Sequence, residues 1–228
     1  MTRKVFGLKS VPTKYALRLD GISGSVKVNA AASINDLTTF TVVATLIPNS
    51  PGEADFGYIF KKGPKLFYIP ASSTFRLYNV FNTLSGYWTA QSNSLPYNIR
   101  THIAMSYDNT NVVNNPIMYK NGISVVVDIG QIPEGAAISE SGTNLFIGND
   151  DIDSRTFDGL IYSFAYFNVI LNPTQVSSLS NGTQIPTDIP GCVLYHDYTK
   201  GNANDLSGNN NNGTLQGNAF FEPQSQYQ

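Results

Sequence analysis

Apolar and polar residues alternate with a period of two along most of this chain, as they do in β-strands that bury one face. Strands are predicted at residues 25–29, 40–47, 74–80 and 101–107, among others, and such runs recur at short, even spacing. The connecting segments are rich in Gly, Pro, Asn and Asp, which favour turns and loops. This pattern predicts an all-β sandwich or barrel.

Two segments carry more specific information. Residues 116–127 predict a β-hairpin, because the pair Asn121-Gly122 suits a type I′ turn in which both residues adopt positive φ. Residues 159–167 are apolar on both faces of the predicted strand. A strand of this kind is expected in a central position, where it is covered on both sides.

One short helix is predicted near the C-terminus. Asn172 is a suitable N-cap, Pro173 fits the first turn, and Gly182 follows where a C-terminal cap is expected. The helix is one or two turns long. We therefore expect it to plug an end of the sandwich rather than to form a layer.

The two ends of the chain have matching strand patterns. Residues 192–198 alternate and lead into an Asp-x-Ser-Gly-Asn turn at residues 205–209, after which another strand is predicted. The first alternating segment, residues 15–29, has no predicted neighbour close in sequence. If these ends pair, residues 15–221 form one closed sandwich, with an N-terminal arm at residues 1–14 and a tail at residues 222–228.

The composition narrows the function classes. Hydrophobic residues make up 41% of the 228 residues, which is too many for a disordered chain, and only 13% are charged. The net charge of −2, with scattered Lys and Arg, argues against nucleic-acid binding. A surface rich in Asn, Ser, Thr and Tyr suits neutral hydrogen-bonding partners such as sugars, and equally suits structural proteins of virions.

The sequence also suggests a cellular context. No apolar run is long enough to span a membrane, and the N-terminus has no apolar core of a classical signal peptide. The single cysteine, Cys192, excludes an intrachain disulfide and is expected to be a small buried residue. We expect the protein on a virion, or at the cell surface or outside the cell after export by another route.

The order and spacing of several short segments carry a resemblance to a known family. They lie at residues 16–21, 40–48, 102–108, 118–122, 145–148, 157–161 and 206–215. Together they resemble the laminin-G-like members of the concanavalin A-like lectin/glucanase superfamily. The resemblance implies a two-sheet antiparallel jelly-roll β-sandwich with one short C-terminal helix. It does not imply a function, because the shared positions are mainly turn and core residues.

The chain departs from the family pattern at two places. Family members often carry Trp-His-His before the central strand, where this chain has Arg100-Thr-His102. They also often carry an acidic pair and a basic residue after the segment at 157–161, where this chain has Tyr162, Ser163 and Ala165. The salt-bridged feature of that face is therefore expected to be absent.

The sequence does not favour an enzyme. Retaining glucanases need two carboxylates about 5 Å apart, which alternate positions of one strand supply. The chain has only four glutamates, and all are predicted in loops or the tail. His102 and His196 lack the Gln-x-His pattern of jelly-roll lyases, and we expect both to be strand histidines that hydrogen-bond to their neighbours.

The densest acidic segment is a candidate calcium site. Asp150, Asp151 and Asp153 lie within four residues, and calcium prefers clustered oxygen ligands. The alternative is a solvated loop in which Arg155 partly neutralises the charge.

A second candidate calcium site joins the two ends of the chain. The resemblance implies a structural calcium near this place in some relatives, and Asp20, Asp205 and Asn209 would supply its ligands. The same residues also suit turns in which a side chain accepts hydrogen bonds from nearby backbone amides.

Aromatic residues are the candidates for ligand binding. Tyr58, Tyr78, Tyr87 and Trp88 lie on predicted strands, and aromatic rings stack on the apolar faces of sugars. Alternation places half of such residues in the core, so Trp88 could equally be a core residue.

Two functions of different classes follow. The first is a non-catalytic binding or adhesion module, with or without calcium, that recognises a glycan or a protein partner on a surface. The second is a structural virion protein, such as a capsid decoration, fibre or spike component. In that case the N-terminal arm, with Arg3, Lys4, Lys9 and Lys14, would contact a neighbouring subunit or the shell. A lyase or glucanase ranks third.

Overall fold

The computed structural model describes residues 14–224, which form two antiparallel β-sheets and one α-helix. In chain order the strands are β1 (Lys14–Asp20), β2 (Ser25–Val28), β3 (Thr39–Pro48), β4 (Phe56–Lys62), β5 (Lys65–Pro70), β6 (Arg76–Asn79), β7 (Gly86–Ala90), β8 (Thr101–Asp108), β9 (Ile117–Lys120), β10 (Ile123–Val125), β11 (Val127–Gln131), β12 (Leu145–Ile147), β13 (Asp158–Phe167), β14 (Cys192–Asp197), β15 (Gly213–Gln216) and β16 (Phe220–Gln224). The helix α1 spans Pro173–Ser180.

Each sheet contains eight strands. Sheet A has the order β10-β9-β8-β3-β13-β1-β16, and β14 also pairs with β13. Sheet B has the order β11-β7-β6-β5-β4-β12-β2-β15. The two-sheet antiparallel sandwich predicted from the sequence is confirmed.

The two ends of the chain pair in both sheets. In sheet A, Leu17 of β1 lies opposite Phe221 of β16, and in sheet B, Val26 of β2 lies opposite Leu215 of β15. The predicted closure of the sandwich is therefore confirmed. The predicted boundary of the tail is wrong, because residues 222–224 belong to β16. Residues 1–13 of the predicted arm lie outside the described residues, and Lys14 begins β1.

Strand β13 lies in the middle of sheet A, as its apolar pattern predicts. It pairs with β3 along one edge, and with β1 and then β14 along the other. A bulge between Ile161 and Ser163 allows Ile161 and Phe164 both to face the core, although they are three residues apart. The opposite face of β13 is covered as well, since Ala165 and Phe167 belong to a second apolar cluster.

The main core lies between the two sheets. Alternate residues of facing strands, such as Val42, Met105 and Trp88, are fully buried there. The rings of Phe60 from sheet B and Phe164 from sheet A stack with centroids 5.9 Å apart. Each large apolar side chain buried in this way contributes about 1.5–3 kcal/mol.

The helix α1 covers the outer face of sheet A. Asn172 and Gln175 form a capping box at its N-terminus, and Val176 and Leu179 are buried in the second apolar cluster. This cluster includes Val43 and other outward-facing residues of β3, β8 and β13. The expectation that the helix plugs an end of the sandwich is therefore wrong. The apolar side of the helix is buried only when it packs on another apolar surface, and the outer face of sheet A is such a surface.

The predicted hairpin between β9 and β10 is confirmed and supports the helix. Asn121 and Gly122 both adopt positive φ, at 49° and 80°. A Cβ atom at Gly122 would lie only 3.0 Å from Cα of Ser177 in α1. Glycine at this position therefore serves both the turn and the close approach of the helix.

Candidate ligand-binding face

The outer face of sheet B carries a group of aromatic and basic side chains brought together by strand register. Tyr58 of β4 lies opposite Tyr68 of β5, and Tyr68 lies opposite Arg76 of β6. Tyr78 of β6 lies opposite Tyr87 of β7. Cross-strand partners share a face of the sheet, as do residues two positions apart on one strand. We call these five residues the tyrosine–arginine face.

Arg76 links the tyrosines on either side of it. Its guanidinium carbon lies 5.8 Å from the ring centroid of Tyr68 and 5.0 Å from that of Tyr87. Its Nε donates to Oγ1 of Thr89 at 2.8 Å, and one terminal nitrogen donates to the Tyr68 hydroxyl at 3.4 Å. Within residues 14–224, Arg76 forms no ion pair with an acidic side chain. The cation is thus held by rings and hydroxyls, and part of its donor capacity remains unused.

Three of the tyrosines, Tyr58, Tyr78 and Tyr87, are partly buried, while Tyr68 is almost completely buried at 7% exposure. The centroids of Tyr58 and Tyr68 are 5.4 Å apart, and Phe56 lies 5.7 Å from Tyr68. Burial raises the pKa of the Tyr58 hydroxyl above its ordinary value. Tyr87 lies directly over Gly130 of β11, where a Cβ atom would be 1.8 Å from the ring. Packing therefore restricts these rings to one arrangement.

The same face continues toward the other edge of the sheet with basic and apolar residues. Lys27 of β2, Phe146 of β12 and Lys61 of β4 are cross-strand neighbours. With the loop at residues 142–144 they line a depression of about 390 Å³. Lys61 forms an ion pair with Asp151 at its rim. The face is therefore extended rather than a closed pocket.

Trp88 does not belong to this face. It is fully buried, and its indole N–H donates to Oδ1 of Asn115 at 2.7 Å. The suggestion that Trp88 contributes to a surface platform is therefore corrected. It alternates with Tyr87 and Thr89 on β7, so it must point to the opposite side, into the core.

Sequence reasoning missed Arg76 as a site residue, together with the basic half of the face. The alternation Arg76-Leu-Tyr78 contains the signal, since Arg76 shares a face with Tyr78. Its position between Tyr68 and Tyr87, however, depends on the register of three strands. Alternation within a single strand does not fix that register.

The three aspartates of the first candidate calcium site do not converge. The Asp150 carboxylate accepts hydrogen bonds from the backbone and hydroxyl of Ser154. Asp151 pairs with Lys61, while Asp153 accepts from the backbone amide of Gly24 and the side chain of Asn149. Each carboxylate organises a different contact, so the arrangement does not fit a shared cation.

The second candidate site is also divided between two turns. Asp20 accepts from the amides of Ile22 and Ser23, and these bonds lower the pKa of Asp20 although partial burial alone would raise it. Asp205 instead accepts from Tyr195, Ser207 and Asn211 in the turn before β15. The side chain of Asn209 donates to the Val193 carbonyl. These contacts match the turn chemistry that the sequence left open as the alternative.

Two wider properties concern metals and membranes. Across residues 14–224, no group of three or more His, Cys, Asp or Glu side chains is placed to hold a metal ion. In the same part of the chain, no helix has the length and hydrophobicity needed to cross a membrane.

The two histidines differ in their surroundings. His196 is fully buried, and its ring contacts the Tyr198 hydroxyl at 3.2 Å and the Asn211 carbonyl at 3.0 Å, as expected for a structural histidine. Neither ring nitrogen of His102 has a hydrogen-bond partner among the described residues, although both are buried. The expectation that His102 bonds to its neighbours through its ring is therefore wrong.

Two of the four glutamates are committed to structural contacts. Glu53 accepts from the amide and hydroxyl of Thr156, both at 3.0 Å. Glu140 forms a buried ion pair with Lys65.

The free cysteine is less buried than the sequence predicted. Cys192 is partly buried beside the second apolar cluster, and burial raises the pKa of its thiol to about 12. The thiol is therefore protonated at neutral pH and is a poor nucleophile.

Comparison with known families identifies the fold. The family model Laminin_G_3, of the concanavalin A-like lectin/glucanases superfamily, matches residues 20–177. The chain belongs to this family. A search of curated proteins gives no match to this laminin-G-like domain.

Solved structures share the fold of this laminin-G-like domain at low sequence identity. A candidate carbohydrate-binding protein from Bacteroides ovatus is 15% identical with a TM-score of 0.68, over 95% of this chain and 62% of that one. The heptameric SAP-like pentraxin of Limulus polyphemus is 13% identical with a TM-score of 0.51, over 95% and 92%. The CBM40 of the Ruminococcus gnavus IT-sialidase, bound to α2,3-sialyllactose, is 13% identical with a TM-score of 0.52, over 72% and 96%. The chain thus spans less than two thirds of the Bacteroides ovatus protein.

Proposed function

We propose that this laminin-G-like domain is a non-catalytic binding module that recognises carbohydrate through the tyrosine–arginine face. The observation that carries the proposal is the position of Arg76 between Tyr68 and Tyr87, with Tyr58 and Tyr78 beside them on the same face. Rings that are already packed lose little conformational entropy when a ligand stacks on them.

The chemistry of the face suits a hydroxylated ligand. Tyrosine offers an apolar ring for the C–H face of a pyranose and a hydroxyl for hydrogen bonding. The guanidinium of Arg76 has N–H groups left after its bonds to Thr89 and Tyr68, and these can donate to sugar oxygens. The face is long and shallow, which favours several units of an oligosaccharide over one enclosed monosaccharide.

Solved relatives of the fold support the same class of function. The Bacteroides ovatus structure is described as a candidate carbohydrate-binding protein, and the Ruminococcus gnavus CBM40 was solved with sialyllactose bound. Their low identity means that their binding residues are not transferred to this chain.

The acidic residues support a role without catalysis. The Glu140 carboxylate is paired with Lys65, and that of Glu53 is hydrogen-bonded to Thr156. A glycosidase needs two free carboxylates that flank one bond. Asp128 of β11, opposite Thr89, lies on the same side of the sheet as Arg76, but it is a single acid and not the pair that this chemistry needs.

A glycan array followed by calorimetry tests the proposal. We expect the double variant Tyr78→Ala/Tyr87→Ala to bind the best glycan at least about tenfold more weakly, as truncation of central aromatic contacts usually does. Tyr15→Ala, which removes a half-buried tyrosine from sheet A, is the matched control and should bind like the wild type. Wild-type protein that binds no glycan, or a double variant that binds normally, would contradict the proposal.

We further propose that the module is displayed on a virion or cell surface, where it meets a glycan or a protein partner. The alternative role as a structural virion protein depends on the N-terminal arm, most of which lies outside the described residues. Light scattering of the full chain and of a variant without residues 1–13 separates the two. Oligomers that dissociate on truncation favour the structural role, and a monomer unaffected by truncation argues against it.

A further inference from the structure

A cleft lies on the outer face of sheet A, beside the C-terminal end of α1 and on the opposite layer from the tyrosine–arginine face. It has a volume of about 390 Å³ and adjoins a smaller cavity of about 140 Å³. Both are lined by Thr45, His102, Leu179 and Gly182. The larger one is also lined by Arg100, Asn121, Ser180 and Asn181.

His102 is the most unusual residue of this cleft. Its side chain is buried, with 7% of the residue exposed, and both ring nitrogens lack a hydrogen-bond partner within residues 14–224. A buried polar group without a partner destabilises the folded state, because it has lost its hydrogen bonds to water. Five other residues each leave one buried polar side-chain atom without a partner, but among the described residues only His102 leaves two. A bound ligand that hydrogen-bonds to the imidazole would satisfy them.

The backbone around His102 is held firmly. Its amide donates to Oδ1 of Asn121 at 2.9 Å, and the amide of Asn121 donates to the His102 carbonyl at 2.7 Å. Thr45 lies directly opposite His102 on β3, on the same face of the sheet. The hairpin contact therefore fixes the backbone of His102 beside the cleft. Because both ring nitrogens are buried, a ligand reaches them only when the side chains that cover them move.

Arg100 provides a positive charge at the mouth of the cleft. It lies two residues before His102, and its guanidinium carbon is 4.1 Å from the ring centroid of Tyr162. Arg100 is exposed and forms no ion pair with an acidic side chain in the described part of the chain. No Asp or Glu lines either cavity. The cleft is therefore rich in hydrogen-bond donors and lacks a negative charge to balance Arg100.

We propose that this cleft is a second binding site, for a small hydroxylated carboxylate such as a hexuronic acid. The planar guanidinium of Arg100 suits a carboxylate, to which it can donate two parallel hydrogen bonds. The imidazole of His102, neutral and therefore both donor and acceptor, suits ligand hydroxyls, as do the hydroxyls of Thr45 and Ser180. The site lies on sheet A, so it is independent of the function proposed for sheet B.

Nuclear magnetic resonance titration of the full chain tests the site, with D-glucuronate as the probe and D-glucose as its neutral counterpart. We expect saturable shifts in the amides of Thr45, His102, Asn121 and Asn181 with glucuronate. Glucose should bind at least about tenfold more weakly, because a charge-assisted hydrogen bond contributes about 1.5–3 kcal/mol. Absence of shifts at these amides, or equal binding of the two sugars, would overturn the proposal.

Variants separate the site from general charge effects. Arg100→Gln alters an exposed residue and should weaken glucuronate binding at least about tenfold, while Arg18→Gln, on β1, should not. His102→Phe keeps a ring of similar size without the nitrogens and should also lose binding. Equal losses in both arginine variants, or full binding by a folded His102→Phe variant, would contradict the assignment. If His102→Phe does not fold, the comparison of Arg100→Gln with Arg18→Gln decides the question.

The double variant Tyr78→Ala/Tyr87→Ala should bind glucuronate normally. Failure of the site proposed on sheet B therefore does not affect the test of the cleft on sheet A.

Discussion

Nζ of Lys65 lies 2.5 Å from Oε1 of Glu140, and both side chains are almost completely buried, at 1% and 2% exposure. Lys65 also donates to the Leu37 carbonyl at 2.8 Å and lies over the ring of Phe40. Burial lowers the pKa of the Lys65 ammonium, and the negative charge of Glu140 opposes that shift. The pair thus anchors the loop before β12 to sheet B.

Removal of one partner of this pair should destabilise the domain strongly. In Glu140→Gln the Lys65 ammonium remains buried without a counter-charge, which costs about 3–5 kcal/mol in comparable pairs. Urea unfolding followed by tryptophan fluorescence measures this loss. Asp151→Asn breaks the more exposed pair with Lys61 and is the control, with an expected cost below about 1 kcal/mol.

The double variant Lys65→Met/Glu140→Leu sharpens this test. It removes both charges and replaces them with apolar groups, so it should recover part of the stability lost in Glu140→Gln. Recovery is not complete, because Lys62 is also buried beside Glu140 and loses that charge, although it keeps its bonds to Asn35 and Thr143. A single variant as stable as the wild type would show that the pair contributes no net stability.

The sequence predicted those elements whose residue pattern depends directly on where they lie in the fold. The doubly apolar pattern of β13 predicted its central place, because a strand covered on both faces has no polar side. Asn121-Gly122 predicted the hairpin, since the turn needs positive φ at both positions. The pairing of β1 and β2 with the last strands followed from matching patterns at the two ends of the chain.

The position of α1 was not predictable by the same means. Its apolar residues Val176 and Leu179 show that one side is covered, but not by what. The partner surface includes Val43, Ala104 and Ala165, which lie on strands far apart in sequence. A hint was present in residues 40–47, which are apolar at adjacent as well as alternate positions, as in β13.

The candidate site was only half predictable for a related reason. Alternation separates Tyr87 from Trp88 but does not say which of them faces the core. The pairing register shows which one does. Trp88 is aligned across the strands with Leu77 and Phe67, and these residues are more apolar than Tyr87 and its partner Tyr78, so the side of Trp88 faces the core. Register is set by pairing between strands, which a single-sequence pattern does not supply.

Chelation should leave the stability of the domain unchanged. Asp150, Asp153 and Asp205 are all occupied by hydrogen bonds to the chain itself, and these do not depend on a cation. We expect the same Tm with excess EDTA and with added calcium, measured by scanning calorimetry. A calcium-dependent rise in Tm, abolished by Asp150→Asn or by Asp205→Asn, would instead restore one of the two sites suggested by the sequence.

Stability should fall as the pH drops, in part because of His102. Burial lowers the pKa of His102 from 6.5 to about 4, so the folded state holds the neutral ring while the unfolded chain takes up a proton. The contribution is therefore complete above about pH 6.5 and is lost as the pH falls toward about 4, with an upper limit of about 3 kcal/mol. The titratable groups that line the cavities beside the ring are Arg100, just before β8, and Tyr195 from β14, and neither is an acid that would stabilise the imidazolium.

The variant His102→Gln isolates this contribution. His196 is shifted in the same direction, and carboxylates also titrate in this range, but both remain in the variant. The free energy of unfolding, measured between about pH 4 and pH 7, should therefore decline less steeply in His102→Gln than in the wild type. Parallel curves would show that the ring is not buried in its neutral form.

The packing of Tyr87 against Gly130 gives a test of the tyrosine–arginine face that leaves the tyrosines in place. Gly130 has ordinary backbone angles, so alanine causes no backbone strain, but its Cβ would lie 1.8 Å from the Tyr87 ring. The ring must move, and with it the contact to Arg76. We expect Gly130→Ala to weaken glycan binding several-fold with little loss of stability, measured by calorimetry and urea unfolding.

In a Tyr87→Ala background there is no ring to displace, so Gly130→Ala should then have no further effect on binding. An equal effect of Gly130→Ala in both backgrounds would show that it acts elsewhere on β11, and that the placement of Tyr87 does not contribute to binding.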